Sequence, residues 1–306
     1  MSSPSHRPSA PAPALPTRRR ASRTTLFGRP VADVVKFVSV AIIALVVVSP
    51  LILLGVASLK PDRFQILADM GSFRAFTVSD PSLQNYRDVA TLDGPLPMGR
   101  YLLNSVLILA VTVVGGLFVN SMAAFVLAWG RLPGRALILT LMIGLYIVPQ
   151  ESIVLPLLNI VIKMGLADTF TAQILPWLAS PLYIFLLYQF FIQIPRELYD
   201  AAVIDGASPF RIYRSVFLPM SAPALATVAI LLGIETWNQY LWPLMITQSN
   251  WARPISVGIA SYFGSDSIYW NHAMAASVLM MAPVLLFYVL FQRWFVSSLI
   301  SSAVKG

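Results

Sequence analysis

The sequence predicts an all-α integral membrane protein with six transmembrane helices, both termini in the cytoplasm, and one charged helix–turn–helix on the cytoplasmic face. Three observations lead there. The chain has 306 residues, 57% hydrophobic and only 11% charged, whereas a soluble domain carries about 25% charged residues, so lipid must serve as part of its solvent. Apolar runs lie at about 34–59, 102–128, 136–161, 172–191, 220–247 and 274–296. Between the fourth and fifth of these, residues 192–219 form a polar island.

Residues 1–33 read as a disordered, basic cytoplasmic tail, rich in Pro, Ser and Ala and carrying Arg18, Arg19, Arg20, Arg23 and Arg29. The remainder, 34–306, reads as one six-span domain. Phe37 to Leu59 is 23 residues without a charge, enough to cross about 30 Å of hydrocarbon at 1.5 Å per residue and too long for a signal-peptide core. The second span carries a face of small residues, Gly115, Gly116, Asn120, Ser121, Ala123 and Ala124, suited to close helix packing. The third contains Pro149 and Pro156 and the fifth Pro223 and Pro243. Each proline leaves a carbonyl that neighbours or water must satisfy, so a kinked bundle around a pathway is expected. With the N-terminus inside, 14 of the 21 Lys and Arg residues fall inside and 7 outside, five of these in the loop 60–101, where five Asp balance them. That asymmetry sets the orientation as N-in, C-in and places 192–219 in the cytoplasm.

Composition also excludes. There is no cysteine, and the two histidines, His6 and His272, are far apart, which argues against disulfides, a metal site or a histidine-based catalytic centre. The net charge of +8 flanks the bilayer and reports topology; no nucleic-acid partner is expected. A P-loop needs glycine directly before its lysine. Lys36, Lys60, Lys163 and Lys305 follow Val35, Leu59, Ile162 and Val304, so the chain binds no ATP in that way.

The island is read as two short helices. Pro195 opens the first, with Glu197 and Asp200 in its early turns, where the helix dipole favours acids. Leu198, Ala201 and Ala202 form a small, partly apolar face. Gly206 breaks the helix by taking positive φ. Ser208 and Pro209 cap and open the second helix, and Leu218-Pro219 closes the unit. An amphipathic helix lying on lipid headgroups is the competing reading.

The spacing of Asp200, Ala201, Ala202, Gly206, Val216, Leu218 and Pro219 resembles the EAA loop of ABC-importer permeases, with Asp200 in place of Glu and Val216 in place of Ile. Residues 236–244 resemble the fifth-span signature of the carbohydrate-uptake branch. The closing Ser-Ala-Val-Lys-Gly is similar to the end of its maltose-permease-like second subunits. What the resemblance implies is a type I importer permease fold in the bacterial inner membrane, with 192–219 as the coupling loop. It implies pairing with a second, homologous permease subunit, docking of the loop (Glu197, Asp200, Ala201, Ala202, Asp205, Gly206, Leu218, Pro219) on a cytoplasmic ATPase dimer that holds the ATP and Mg, and delivery of cargo by an extracytoplasmic binding protein. The chain itself then has no cofactor and no catalytic residue.

Two acids lie in apolar runs, Glu151 and Glu235. A charge there costs roughly 2.5–3.5 kcal/mol and faces a cavity or a partner. Glu235 is followed by Trp237, Asn238, Gln239, Tyr240 and Trp242, residue types that stack on sugar rings and bond hydroxyls, and that equally serve as interfacial anchors. Glu151, Glu235, Trp237, Asn238, Gln239 and Tyr240 are the candidate pathway residues, with interhelical packing as the alternative. A glycosidase pair would need the two carboxyls about 5–10 Å apart around a substrate, and nothing in the sequence establishes that. The expected function is cargo passage in an ATP-driven carbohydrate importer. The fifth-span stretch also resembles glycerol-3-phosphate permeases, which keeps a glycerophosphate cargo open. A membrane-embedded transferase and a stand-alone secondary transporter are the remaining classes.

Overall fold

A computed structural model of the chain describes residues 28–91, 93–130, 132–263 and 269–303. The regular elements among the described residues are all helices, without a strand. The order is α1 (Gly28–Ser58), α2 (Arg63–Asp69), a 3-10 turn at Phe73–Phe76, α3 (Gln84–Val89), α4 (Met98–Trp129), α5 (Arg135–Tyr146), α6 (Gln150–Lys163), α7 (Phe170–Ile174) and α8 (Pro181–Phe191). There follow α9 (Arg196–Ile204), α10 (Pro209–Ile212), a π-helical turn at Tyr213–Phe217, α11 (Leu218–Met220), α12 (Ala222–Asn238), α13 (Leu241–Ile246), α14 (Ile255–Phe263) and α15 (Trp270–Ala303). Residues up to Leu51 form one unit and those from Ile52 another. α1 starts at Gly28, within the stretch expected to be a tail; residues 1–27, Arg131 and the closing 304–306 lie outside the described residues.

Among the described residues, two single helices are long and apolar enough to cross a bilayer, Asp33–Ser58 within α1 and α4. Three further candidates are bent pairs, α5–α6 at 97°, Phe170–Trp177 with α8 at 45°, and Pro209–Met220 with α12 at 81°. The run 136–161, expected as one span, is therefore two helices. Pro149 explains the break, because its ring pushes the preceding residue out of the α region and itself caps α6 in an extended conformation. Pro156 sits inside α6 without ending it. The run 220–247 is interrupted too: Gln239 is extended and α13 begins afterwards.

The main core is built where α4 packs on α8 and α12. The small-residue face does this work. A Cβ on Gly116 would lie 2.6 Å from Leu232 Cδ2, so the Leu232 side chain of α12 occupies space that any larger residue there would have to reclaim from it. One turn on, the buried Asn120 donates to Gly116 O (2.6 Å) and Leu178 O (2.9 Å) and accepts from Ser180 N (2.8 Å). That satisfies the backbone where α8 begins, as a buried chain end requires. A second core joins α3, the start of α4, α14 and the start of α15, and a third joins α6, α7 and α13.

Polar side chains order the segments outside the helices. Lys60, 1% exposed, donates to Asp69 (2.8 Å) and to Arg74 O (3.0 Å). Asn85 holds Ser58 O and Lys60 O, and Asn271 bonds to Asn85. The α13–α14 connection is tied by Asn104 to Trp251 O and Arg253 O, by Tyr101 to Asn250, and by Asp168 to the amides of Gln248 (2.9 Å) and Ser249 (3.1 Å). Partial burial raises the Asp168 carboxyl, but the bonds from Ser249 and Gln248 and the charge of Arg253 outweigh it and hold the group below its ordinary 3.8.

Candidate coupling segment and pathway hollow

The island at 192–219 forms as two helices around a glycine turn. Pro195 is the cap of α9 rather than its first residue, and Glu197 lies in the first turn. Gly206 has φ +74°. Its amide donates to Val203 O and the next amide, Ala207, to Ala202 O, both at 3.0 Å. This pair of bonds is a Schellman cap, which places Gly206 at the position that must be left-handed. Ser208 then accepts from Arg211 N, and Pro209 opens α10. The turn widens to π spacing over Tyr213–Phe217, directly before Pro219, whose missing N–H cannot join the α-helical ladder.

Aromatic contacts fasten the unit to the ends of α4 and α8. Phe217, fully buried, meets Phe125 at 4.9 Å, Trp129 at 5.3 Å and Phe191 at 5.5 Å. Tyr213 bonds to Ser121 through its hydroxyl at 2.7 Å. Tyr199 stacks on Trp129 at 4.9 Å with 23° between planes, while Trp129 Nε1 donates to Phe191 O. The face expected from Leu198, Ala201 and Ala202 is split. Ala202 turns inward with Tyr199, and Leu198 and Ala201 are exposed. Glu197, Asp200, Asp205, Gly206 and Pro219 are exposed as well, and Leu218 packs half-buried on the core. Ile204 is 85% exposed and Phe210 54%, so the outward surface mixes acids with bare apolar side chains. The sequence reading passed over Tyr199, Tyr213 and Phe217; the aromatic i, i+4 pair at 213 and 217 was the available signal.

Five of the six pathway candidates line one open hollow of about 540 Å³: Glu151, Glu235, Asn238, Gln239 and Tyr240, joined by Gln150. They come from the first turn of α6, the last turn of α12 and the break after it. Glu235 Oε2 accepts from the hydroxyl of the buried Tyr183 on α8 at 2.6 Å, so its carboxylate is held by a second helix. Asn238 Nδ2 bonds back to Ile234 O at 2.8 Å. Trp237 turns elsewhere, onto a void of about 10 Å³ beside Ser105 and Gln173 that Gln239 also lines. Trp242 is a core residue rather than an interfacial anchor: 2% exposed, it donates to Ala172 O and meets Trp177 edge-on. Tyr183 had no signal in the sequence, being one aromatic within an apolar run.

The chain is 34% identical over 266 residues to the permease protein AraQ of an arabinooligosaccharides transport system from Halalkalibacterium halodurans, covering 87% of this chain and 94% of that protein. It is 36% identical over 228 residues to the trehalose/maltose permease protein MalG of Thermococcus litoralis, 74% and 82% of the two chains. It is 32% identical over 281 residues to the sn-glycerol-3-phosphate permease protein UgpE of Brucella suis, 90% and 98%. A solved bacterial ABC transporter that imports the acidic polysaccharide alginate shares the fold, with a TM-score of 0.74 at 22% identity over 90% of this chain and 99% of that one. The family model for binding-protein-dependent transport system inner membrane components matches residues 116–301. That stretch holds both the glycine-turned segment and the hollow, and the chain belongs to this family.

Proposed function

We propose that this inner-membrane protein is one of two paired permease subunits in an ATP-driven, binding-protein-dependent carbohydrate importer. The chain catalyses nothing itself; ATP is hydrolysed by a partner subunit. In this reading six spans cross the membrane, with α5–α6 and the other bent pairs each counted as one and α15 as the last. Both termini lie inside, residues 1–33 forming a cytoplasmic tail and 34–306 the permease domain.

Residues 192–219 act as the coupling element. Glu197, Asp200, Ala201, Asp205 and Gly206 present the docking surface to a cytoplasmic ATPase dimer, Ala202 packs behind it on the core, and Leu218 and Pro219 carry its movement into α12. The observation behind this role is the packed aromatic attachment of the segment. A Schellman cap sets its shape, and the ring cluster of Tyr199, Tyr213 and Phe217 joins it to α4 and α8, so displacement of α9 is passed to two helices that pack on α12, whose last turn lines the hollow. Glu151, Glu235, Asn238, Gln239 and Tyr240 line the cargo path, with Trp237 behind it. Cargo arrives from an extracytoplasmic binding protein.

The cargo class rests on the arabinooligosaccharide and trehalose/maltose relatives. The likeness to a glycerol-3-phosphate permease supports a second reading with a phosphate ester as cargo.

The chain lacks cysteine, so Ala201→Cys provides a single crosslinking point. In membranes holding the assembled importer it should crosslink to the ATPase, and co-purification should require the same subunit. Crosslinks to lipid alone, or uptake by this chain without companions, would overturn the proposal.

A further inference from the structure

The hollow carries an imbalance of charge that bears on the cargo. Two carboxylates, Glu151 and Glu235, line it, together with the amides of Gln150, Asn238 and Gln239 and the hydroxyl of Tyr240. Among the described residues that line it there is no Lys, Arg or His. One of the two acids is held by a side-chain bond and the other is placed by its helix. Glu151 sits on the first turn of α6, set by Pro149, and Glu235 is fixed by the 2.6 Å bond from Tyr183. The open hollow of about 540 Å³ is roughly 10 Å across, close to one Debye length at physiological salt, so salt screens the two charges only in part over that distance. Low-dielectric helix walls strengthen the field further.

We propose that this hollow is a charge filter. It admits neutral or cationic polyhydroxylated cargo, meaning sugars and amino sugars, and it rejects anions such as phosphate esters. Amides and a phenol hydroxyl exchange hydrogen bonds with cargo hydroxyls in both directions. A phosphate would meet two carboxylates with no cation among the described lining residues to offset them. Tyr183 is a positioning residue, acting through Glu235. The proposal rests on reading the hollow as part of the cargo path, and it decides between the two cargo classes left open above.

The absence of cysteine makes the potential directly measurable. Asn238→Cys places one thiol of this chain in the hollow of the assembled importer in proteoliposomes. Its modification by cationic, anionic and neutral methanethiosulfonates is followed by mass spectrometry of the peptide that carries it. The cationic-to-anionic rate ratio, relative to a free thiol in solution, should rise roughly tenfold. Glu151→Gln and Glu235→Gln should each lower it, and the double variant should return it to the free-thiol value. Tyr183→Phe keeps the charge and should lower the ratio only partly. A ratio equal to that of the free thiol, or one unchanged in the double variant, overturns the filter; Tyr240→Cys gives the same readout should the first variant fail to assemble. Calorimetry on the cognate binding protein with arabinotriose, glucosamine and sn-glycerol-3-phosphate supplies the cargo arm, and binding of the phosphate ester alone overturns the proposal. Modification by the neutral reagent should block uptake. If uptake continues while the charge ratio stands, the pathway reading has failed and the filter with it, a result distinct from loss of the ratio.

Discussion

Replacing Gly206 by alanine should uncouple ATP hydrolysis from uptake without disturbing insertion. At φ +74° a Cβ there would meet nothing within 4 Å, so the substitution makes no clash. What remains is the left-handed backbone, which costs an L-residue about 1–2 kcal/mol, or a roughly 5–30-fold drop in the population of the turned form. The two bonds of the cap, Gly206 N to Val203 O and Ala207 N to Ala202 O, are then made in a smaller fraction of molecules, and the exposed face of α9 is held less firmly relative to the rings that anchor it. Asparagine tolerates this region better than alanine and valine tolerates it worse. The assay is cargo taken up per ATP hydrolysed by the assembled importer in proteoliposomes. The expected order is Gly, Asn, Ala, Val, with similar amounts of inserted protein for each. Asparagine is bulkier than alanine, so a series that follows side-chain size, with Asn worse than Ala, would refute the backbone argument. Unchanged coupling in all three variants would refute the docking role as well.

Tyr199→Ala removes a stacked ring pair worth about 0.5–1.5 kcal/mol beyond its buried area and should lower uptake per ATP, whereas Tyr199→Phe keeps it; equal behaviour of the two would place the transmission elsewhere. Ala202→Asp puts a charge against the same rings and should reduce coupling in that assay while the chain still inserts. Asp69→Asn leaves the Lys60 ammonium, 1% exposed, without its counter-charge, at a cost of about 3–5 kcal/mol; thermal unfolding in detergent should show the loss, and Lys60→Met in the same background should recover much of it. Asp168 has a lowered pKa. Its tether therefore contributes stability above the unfolded value of 3.8 and loses it as pH falls through the lower folded value. Protection factors of the Gln248 and Ser249 amides, corrected for the intrinsic pH dependence of exchange, should fall on acidification below about pH 4, and Asp168→Asn should show lower protection than the parent chain at neutral pH.

Much of this protein was legible as text because local rules governed it. Gly206 and Ser208-Pro209 were assigned their roles from spacing, since a left-handed cap and a helix start depend on a few adjacent residues. The small-residue face of α4 was visible for the same reason. The breaks within the third and fifth apolar runs were only half visible. Pro149 signalled one, but Pro156 looked equivalent and leaves α6 whole, because neighbouring packing decides whether a proline ends a helix. The extended turn at Gln239 carried no proline of its own to announce it.

Apolar runs, basic flanks and the turn chemistry of 195–219 were enough to establish a membrane protein with an exposed helical handle, because hydropathy and capping act over short distances along the chain. Which acid faces which hollow was not available there. Glu151 and Glu235 are 84 positions apart and line one hollow, the first on a helix bent by 97° from α5. Trp237 and Trp242, five positions apart, separate into a small void and a packed core. Tyr183 reaches Glu235 from α8. Such placements arise from the packing of distant helices against one another, and the side-chain directions that result are set by the assembled fold.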